Sequence, residues 1–246
     1  MKISIITVVK NGEKTILNSI NSLKNQNFNN YEHIIIDGNS SDRTKEIILK
    51  NCDLNKTIFV SEEDEGLYFA LNKAIKLCSG DIIGVLHSDD IYANSSVLKQ
   101  IEISFYNREV QIVYGDSCFF SGNKITRSWN SGNVSISKLE KGWMPPHTTI
   151  FIRLSALVQA GLYDTKYKIS ADYDFTVKCL YKYKMKSRYI PILVTKMQNG
   201  GISNNGFRNI ILKIKEDSEI LRKYNLNVYQ GLILKRLRKI NQFLLI

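Results

Sequence analysis

The 246 residues are 43% hydrophobic and 23% charged, with only 14 Gly and 3 Pro. That balance excludes wholesale disorder and suits one large α/β domain, or a domain plus a small appendage. The net charge of +11 is unevenly placed: residues 207–246 hold nine Lys and Arg against three acids, and no acid follows Glu219, so the excess argues for an anionic partner at the tail.

Met1-Lys2 runs straight into a β-branched strand, Ile3 to Val9, with no apolar leader or cleavage site of a signal peptide. The turn Lys10-Asn11-Gly12 ends it, and residues 13 to 24 place Ile16, Leu17, Ile20 and Leu23 at helical spacing. Tyr31 to Ile36 is a second strand. Asp37-Gly38-Asn39-Ser40-Ser41-Asp42 closes it and caps a helix over about 42 to 51. A short strand, Thr57 to Ser61, precedes an amphipathic helix over 66 to 79 with Leu67, Leu71, Ala74, Ile75 and Cys78 on one face. A fourth strand, 81 to 86, runs toward the adjacent acids Asp89 and Asp90. Wholly apolar strands alternating with amphipathic helices predict a mostly parallel sheet covered on both faces.

The second half is less regular. Val110 to Tyr114, Thr148 to Arg153 and 188 to 195 read as strands, and 171 to 185 as a helix. Residues 121 to 142 form a Gly/Ser/Asn-rich excursion, and the loop Gln198-Asn199-Gly200-Gly201-Ile202-Ser203 precedes two terminal helices, about 206 to 223 and 228 to 243. Cys52, Cys78, Cys118 and Cys179 form no C-x-x-C pair and read as free thiols, which with the missing leader predicts a cytoplasmic protein. No uninterrupted apolar run approaches the ~20 residues of a membrane span.

Two carboxylates held side by side after a buried strand repel each other, and a divalent cation is the commonest way to offset that. Asp89 and Asp90 also follow a strand's carboxyl end, where open α/β sheets bind ligands, and Asp37 occupies the same kind of position. Plainer roles fit each acid taken alone: a solvated loop for Ser88-Asp89-Asp90, a loop cap for Asp37, and a helix cap for Asp172 in Ala171-Asp172-Tyr173-Asp174-Phe175. There is no G-x-G-x-x-G after the first strand and no G-x-x-x-x-G-K-[ST], which weighs against a dinucleotide-binding fold and a P-loop NTPase.

The ordered set Thr7-Val8-Val9-Lys10-Asn11, Ile36-Asp37-Gly38-Asn39-Ser40-Ser41-Asp42-Arg43-Thr44, Ser61-Glu62-Glu63-Asp64-Glu65-Gly66, Ala70-Leu71-Asn72-Lys73-Ala74, Gly80-Asp81, Leu86-His87-Ser88-Asp89-Asp90 and Asp172-Tyr173-Asp174 resembles the family 2 glycosyltransferases. The resemblance spans roughly residues 1 to 205. It implies a GT-A fold and transfer of a sugar, with inversion, from a nucleoside diphosphate donor to a saccharide or polyprenyl-linked acceptor. By the same resemblance, Thr7 and Val9 line the nucleotide pocket, Asp37 accepts a hydrogen bond from the base (commonly uracil), and Asp64 lies beside the nucleotide. Ser88-Asp89-Asp90 stands where the family has D-x-D: Asp90 ligates Mn²⁺ or Mg²⁺, and Asp89 faces ribose or metal. Asp172 is the implied general base. His147, in Met144-Pro145-Pro146-His147-Thr148, is implied to contact the diphosphate or the metal, or else is structural. Gly200-Gly201-Ile202-Ser203 resembles an active-site loop or is a simple turn. Trp129 and Trp143 read as a sugar platform or as packing.

The resemblance divides the chain into a GT-A domain, 1–205, and a basic helical extension, 206–246. Within the latter, Lys235, Arg236, Arg238 and Lys239 among apolar residues read as an amphipathic helix on an anionic membrane surface, or as one packed on the domain. That would place the protein peripherally at the inner face of the membrane. No nucleic-acid-binding module is recognisable. Two other readings stand beside the transferase. A sugar-nucleotide-forming nucleotidyltransferase would need a Gly-rich basic loop, of which Lys10-Asn11-Gly12-Glu13 is a poor version. A non-catalytic nucleotide-sugar-binding or membrane scaffold protein would have no need of Asp37, Asp90 and Asp172 together.

Overall fold

The computed structural model describes residues 1–122, 124–198 and 206–244, apart from the side chains of 207, 241 and 244. In chain order the elements are β1 (Ile3–Val9), α1 (Ile16–Lys24), β2 (Tyr31–Asp37), α2 (Thr44–Asn51), β3 (Thr57–Ser61), α3 (Leu67–Leu77), β4 (Ile82–Val85), β5 (Asp90–Tyr92) and α4 (Val97–Ser104). There follow β6 (Ile112–Ser121), β7 (Lys124–Trp129), α5 (Ile136–Glu140), β8 (Phe151–Arg153), α6 (Leu154–Ala160), α7 (Ala171–Val177), β9 (Ser187–Gln198), α8 (Phe207–Lys223) and α9 (Val228–Leu244).

One sheet runs through the molecule in the order β3-β2-β1-β4-β8-β6-β9-β5, with β7 paired to β6 off that path. The strands β3, β2, β1 and β4 are parallel, in the register Ile3↔Tyr31, Ile3↔Ile82 and His33↔Thr57. Their carboxyl ends therefore share one edge. Both faces of β1 are covered, so alternate residues feed different cores, which is why the strand reads as apolar throughout. Ile6 and Val8 meet α3, whereas Ile3 and Ile5 pack with α1 and α4, and Val9 packs with α1 and α2. Gly84 lets the sheet close tightly here, because a Cβ on it would lie 2.4 Å from the Phe151 ring of β8.

β8 runs antiparallel to β4, with Gly84 opposite Phe151. The residues that enter β8 thus lie beside the exit of β4, and a 3₁₀ turn at His147–Thr149 occupies that place instead of a strand beginning at Thr148. Asp90 is no loop residue either: it opens β5, antiparallel to β9 and opposite Met197. The excursion at 121–142 holds β7 and α5, and the helix expected over 171–185 is α7 followed by a π turn at Lys178–Lys182.

The terminal helices form a hairpin whose turn places Asn225 at φ 56° and donates Leu226 N to Leu221 O at 2.8 Å. Ile220 and Leu221 are fully buried in the same cluster as residues of β1, β4 and α7. The hairpin is therefore anchored in the main core through Ile220, Leu221, Tyr224 and Leu226.

Candidate active site

At the carboxyl edge of the parallel strands, the loops after β1 and β2 are stitched together. Asn11 N donates to Ser40 Oγ at 2.7 Å, Ser41 N to Asn11 Oδ1 at 2.9 Å, Gly12 N to Thr44 Oγ1 at 2.8 Å and Glu13 N to Asp42 Oδ2 at 3.1 Å. Most of the Ser40–Thr44 motif is used in holding this rim. Asp37 lies beneath it, fully buried, and accepts from Ser40 N at 3.0 Å, Ser61 Oγ at 2.7 Å and the Ser40 hydroxyl. Those three bonds leave about one of its acceptor positions open.

The side chains of Thr7 and Val9 point into the protein. Thr7 Oγ1 donates to Leu86 O at 2.7 Å and so must accept from His33 Nε2 at 2.9 Å, a lock across β2, β1 and β4. Burial holds His33 neutral by lowering it to about 3. Val9 is buried under α1 and α2. Asp64 Oδ1 pairs with Lys73 Nζ at 2.6 Å, and its buried Oδ2 has no partner among the described residues.

The acid pair is split by the chain. Asp89 sits in the turn after β4, and Asp90 is almost fully buried at the start of β5. Burial pushes Asp90 well above the usual carboxylate range and the Asp89 charge adds to this, against a backbone hydrogen bond from His87. Burial raises Asp89 as well. Such a pair calls for a positive charge, so its donor set fits a hard divalent cation. Among the described residues no three His, Cys, Asp or Glu side chains are gathered as a ready metal cluster.

His87 joins the acid pair to Asp172. Its Nε2 lies 2.7 Å from His147 Nε2, and His147 Nδ1 lies 3.7 Å from Asp172 Oδ2. Burial lowers His87 to about 3, and burial also lowers His147 despite the Asp172 charge, so both rings are neutral near pH 7. A neutral ring carries one N–H. If His147 kept it on Nε2, a bare Nδ1 would face a carboxylate. The favourable arrangement has His87 Nε2–H donating to His147 Nε2, with His147 Nδ1–H directed at Asp172. His147 Nε2 is thereby engaged by His87, while 3.7 Å leaves Nδ1 short of a hydrogen bond to Asp172.

Asp172 stands in the first turn of α7, where the helix dipole favours a carboxylate. Its Oδ1 accepts from Tyr173 N at 2.8 Å, and the Tyr68 hydroxyl is 3.4 Å away while donating to Ile169 O at 2.8 Å. Glu216 of α8 accepts from Lys168 N, Ile169 N and Ser170 N at 2.8, 3.0 and 2.8 Å. The neighbouring acid, Asp174, is buried and paired with Lys223 Nζ at 2.8 Å and Tyr224 OH at 3.1 Å. α8 thus grips the start of α7 from two sides, while Asp172 stays partly exposed. A cavity of about 20 Å³, room for one water, lies behind His147 and Asp172.

Trp143 is buried, donates Nε1 to Ser131 O at 3.1 Å and packs edge-on against Tyr114, which makes it core. Trp129 is partly buried against the same core. The Gly200–Ser203 loop lies outside the described residues. No role at the site was legible for His87, Tyr68, Lys73 or Glu216 individually. His87 and Lys73 carried a signal, both standing in the quoted motifs and His87 between a buried strand and two acids.

A glycosyl transferase family 2 model matches residues 4–165. A PGL/p-HBAD biosynthesis glycosyltransferase of Mycobacterium tuberculosis is 26% identical over 205 residues, covering 82% of this chain and 78% of the relative. The Escherichia coli UDP-Glc:alpha-D-GlcNAc-diphosphoundecaprenol beta-1,3-glucosyltransferase WfgD is 33% identical over 123 residues, covering 50% of this chain and 48% of WfgD. Among solved structures, a Staphylococcus aureus TarS fragment in complex with UDP-GlcNAc superposes with TM-score 0.69 at 17% identity, over 98% of this chain and 72% of the fragment. The mannosyltransferase PcManGT of Pyrobaculum calidifontis, in complex with GDP-Man and Mn²⁺, gives 0.67 at 15% identity over 90% of this chain and 63% of its own. The chain spans only 43% of the longer TarS chain, so these likenesses speak for the fold. With the family match extending over well more than half its length, and a GT-A sheet carrying the acids at its open edge, the chain belongs to glycosyl transferase family 2.

Proposed function

We propose that the protein is an inverting, metal-dependent glycosyltransferase that moves a sugar from a nucleoside diphosphate donor, preferentially UDP-linked, to a saccharide or lipid-linked saccharide acceptor in cell-surface polysaccharide synthesis. The observation that carries this reading is the convergence of the β4 acid pair, the His87–His147 pair and Asp172 at one edge of the sheet. UDP-GlcNAc in the TarS complex and the diphosphoundecaprenol acceptor in the name of WfgD support the two substrate classes.

Asp90, with Asp89 beside it, would hold Mn²⁺ or Mg²⁺, which when bound supplies Lewis-acid neutralisation of the departing diphosphate. Asp37 has an acceptor position left for the base, and Asp64 would lie beside the nucleotide. Thr7 and Val9 act by shaping the β1 terminus. Asp172, whose Oδ1 is held by Tyr173 N, takes the proton of the attacking hydroxyl, and the neutral His147 ring stands beside it. No helix among the described residues is long and apolar enough to cross a membrane, and we place the enzyme in the cytoplasm, peripheral at the membrane's inner face through α9.

Asp172→Asn is the decisive test. Transfer should fall by ~10²- to 10⁴-fold while calorimetric UDP affinity in Mn²⁺ stays unchanged. Unaltered turnover would remove Asp172 from the role of base.

A further inference from the structure

The face that α9 turns toward the protein is apolar at Val228 and Leu232 and charged beyond them. Lys235 and Lys239 stand one turn apart on it, and Gln242 follows on the same side. Both ends of this row are anchored: Lys235 Nζ pairs with Asp217 Oδ1 of α8 at 2.8 Å, and Arg127 Nε of β7 donates to Gln242 Oε1 at 2.6 Å. Lys239 is therefore held between α8 and β7. On α8, Lys213 lies one turn before Asp217, and because the hairpin is antiparallel it falls level with Lys239. Both lysines are half-buried, and neither has a hydrogen bond or ion pair among the described residues. Among the described residues, Asp217 is the one acid paired with this group of four cations.

We propose that the seam of Arg127, Lys213, Lys235 and Lys239 is a binding site for a phosphate or diphosphate group, placed beside Asp172. Burying several like charges with one counter-ion is costly, and an anion of two or more charges would relieve it. Lys239 bears the strain most directly: burial, then Lys213, Arg127 and Lys235, pull it down to about 8. Burial also lowers Arg127, to about 10. The seam adjoins the reaction centre, since the Lys235 ammonium lies 3.4 Å over the ring of Tyr173, the residue after Asp172.

A diphosphate reaches such an enzyme from two sources, the donor nucleotide and the lipid-linked acceptor. The seam lies on the side of Asp172, which takes the acceptor's proton, so we assign it to the acceptor, and this assignment rests on the transferase reading. The anion site itself does not.

Inorganic pyrophosphate, geranyl diphosphate and UDP with Mn²⁺ are the probes, each titrated by calorimetry into wild type and the Lys213→Gln/Lys239→Gln variant. Pyrophosphate and geranyl diphosphate should bind wild type without metal and weaken at least about tenfold in the variant, with UDP unchanged. The unliganded variant should melt no lower than wild type, and Lys239→Arg should retain binding. Selective weakening of UDP would keep the site and overturn its assignment to the acceptor. Equal affinities of both proteins for all three probes, or no pyrophosphate binding by wild type, would overturn the site. None of these readouts requires turnover, so they fail independently of the Asp172 test.

Discussion

Glu32 and Asp90 are buried carboxylates with opposite electrostatics. Burial alone would raise Glu32, but Lys2 Nζ at 2.5 Å, Ser4 Oγ at 2.6 Å and Ser79 N at 2.6 Å lower it to about 2. A depressed folded pKa stabilises above the unfolded value, and that stability is lost as pH falls through the folded one. Glu32→Gln should therefore cost about 1–3 kcal/mol at pH 7. Urea titrations of both proteins should show the difference shrinking between pH ~4.5 and ~2. Asp90 has the reverse sign, its raised pKa meaning that its charge destabilises the metal-free fold. Asp90→Asn should raise the melting temperature without metal and abolish Mn²⁺ binding seen by electron paramagnetic resonance. Asp89→Asn should do less of both. At this scale the acids were legible because motif and strand end coincide. The neutral His87–His147 pair was not, because its partners are 60 residues apart.

Among the elements, the regular ones were read from local periodicity. β1, β2, β3 and α3 fall within a few residues of expectation because each carries its own apolar pattern. β5 has three residues and exists by pairing with β9, which no local pattern announces. The α7 start is likewise set from afar: Glu216→Ala would leave three amides unpaired, costing about 1–3 kcal/mol in denaturant unfolding and lowering kcat by misplacing Asp172. α9 is amphipathic in the opposite sense to the one its charge suggested. Lys235 and Arg238 turn inward, Arg238 donating to Lys141 O at 2.7 Å, while Tyr229, Ile233, Leu237, Ile240 and Phe243 form an outward stripe beside exposed Arg236. The proposed membrane contact should therefore be mainly apolar. Ile233→Ser/Leu237→Ser/Ile240→Ser should float several-fold less with phosphatidylglycerol vesicles than wild type, and Arg236→Gln should mainly reduce the salt sensitivity. Equal flotation of all three would count against this contact.

On the scale of the whole molecule, one hydrophobic cluster has members on both sides of the boundary expected at residue 205. The sequence marks that point by a change in charge and a Gly-rich loop, signals of composition that carry no information about packing. Gly231 shows how closely the halves of the hairpin meet, since a Cβ there would lie 2.8 Å from Leu221, itself buried among residues of the sheet. Removing 206–246 would take Ile220, Leu221, Tyr224 and Leu226 out of the core and strip Asp174 of Lys223 and Tyr224. Four such apolar side chains, at about 1.5–3 kcal/mol each, approach the entire stability of an ordinary domain of roughly 5–15 kcal/mol. We propose that 206–246 is an integral part of the catalytic fold, and that a 1–205 fragment will not unfold cooperatively in calorimetry even though it holds Asp37, Asp90 and Asp172. A folded 1–205 fragment that binds UDP would restore the two-part division. Short of that result, the tail that supplies the charge also supplies the wall against which the start of α7, with Asp172, is set.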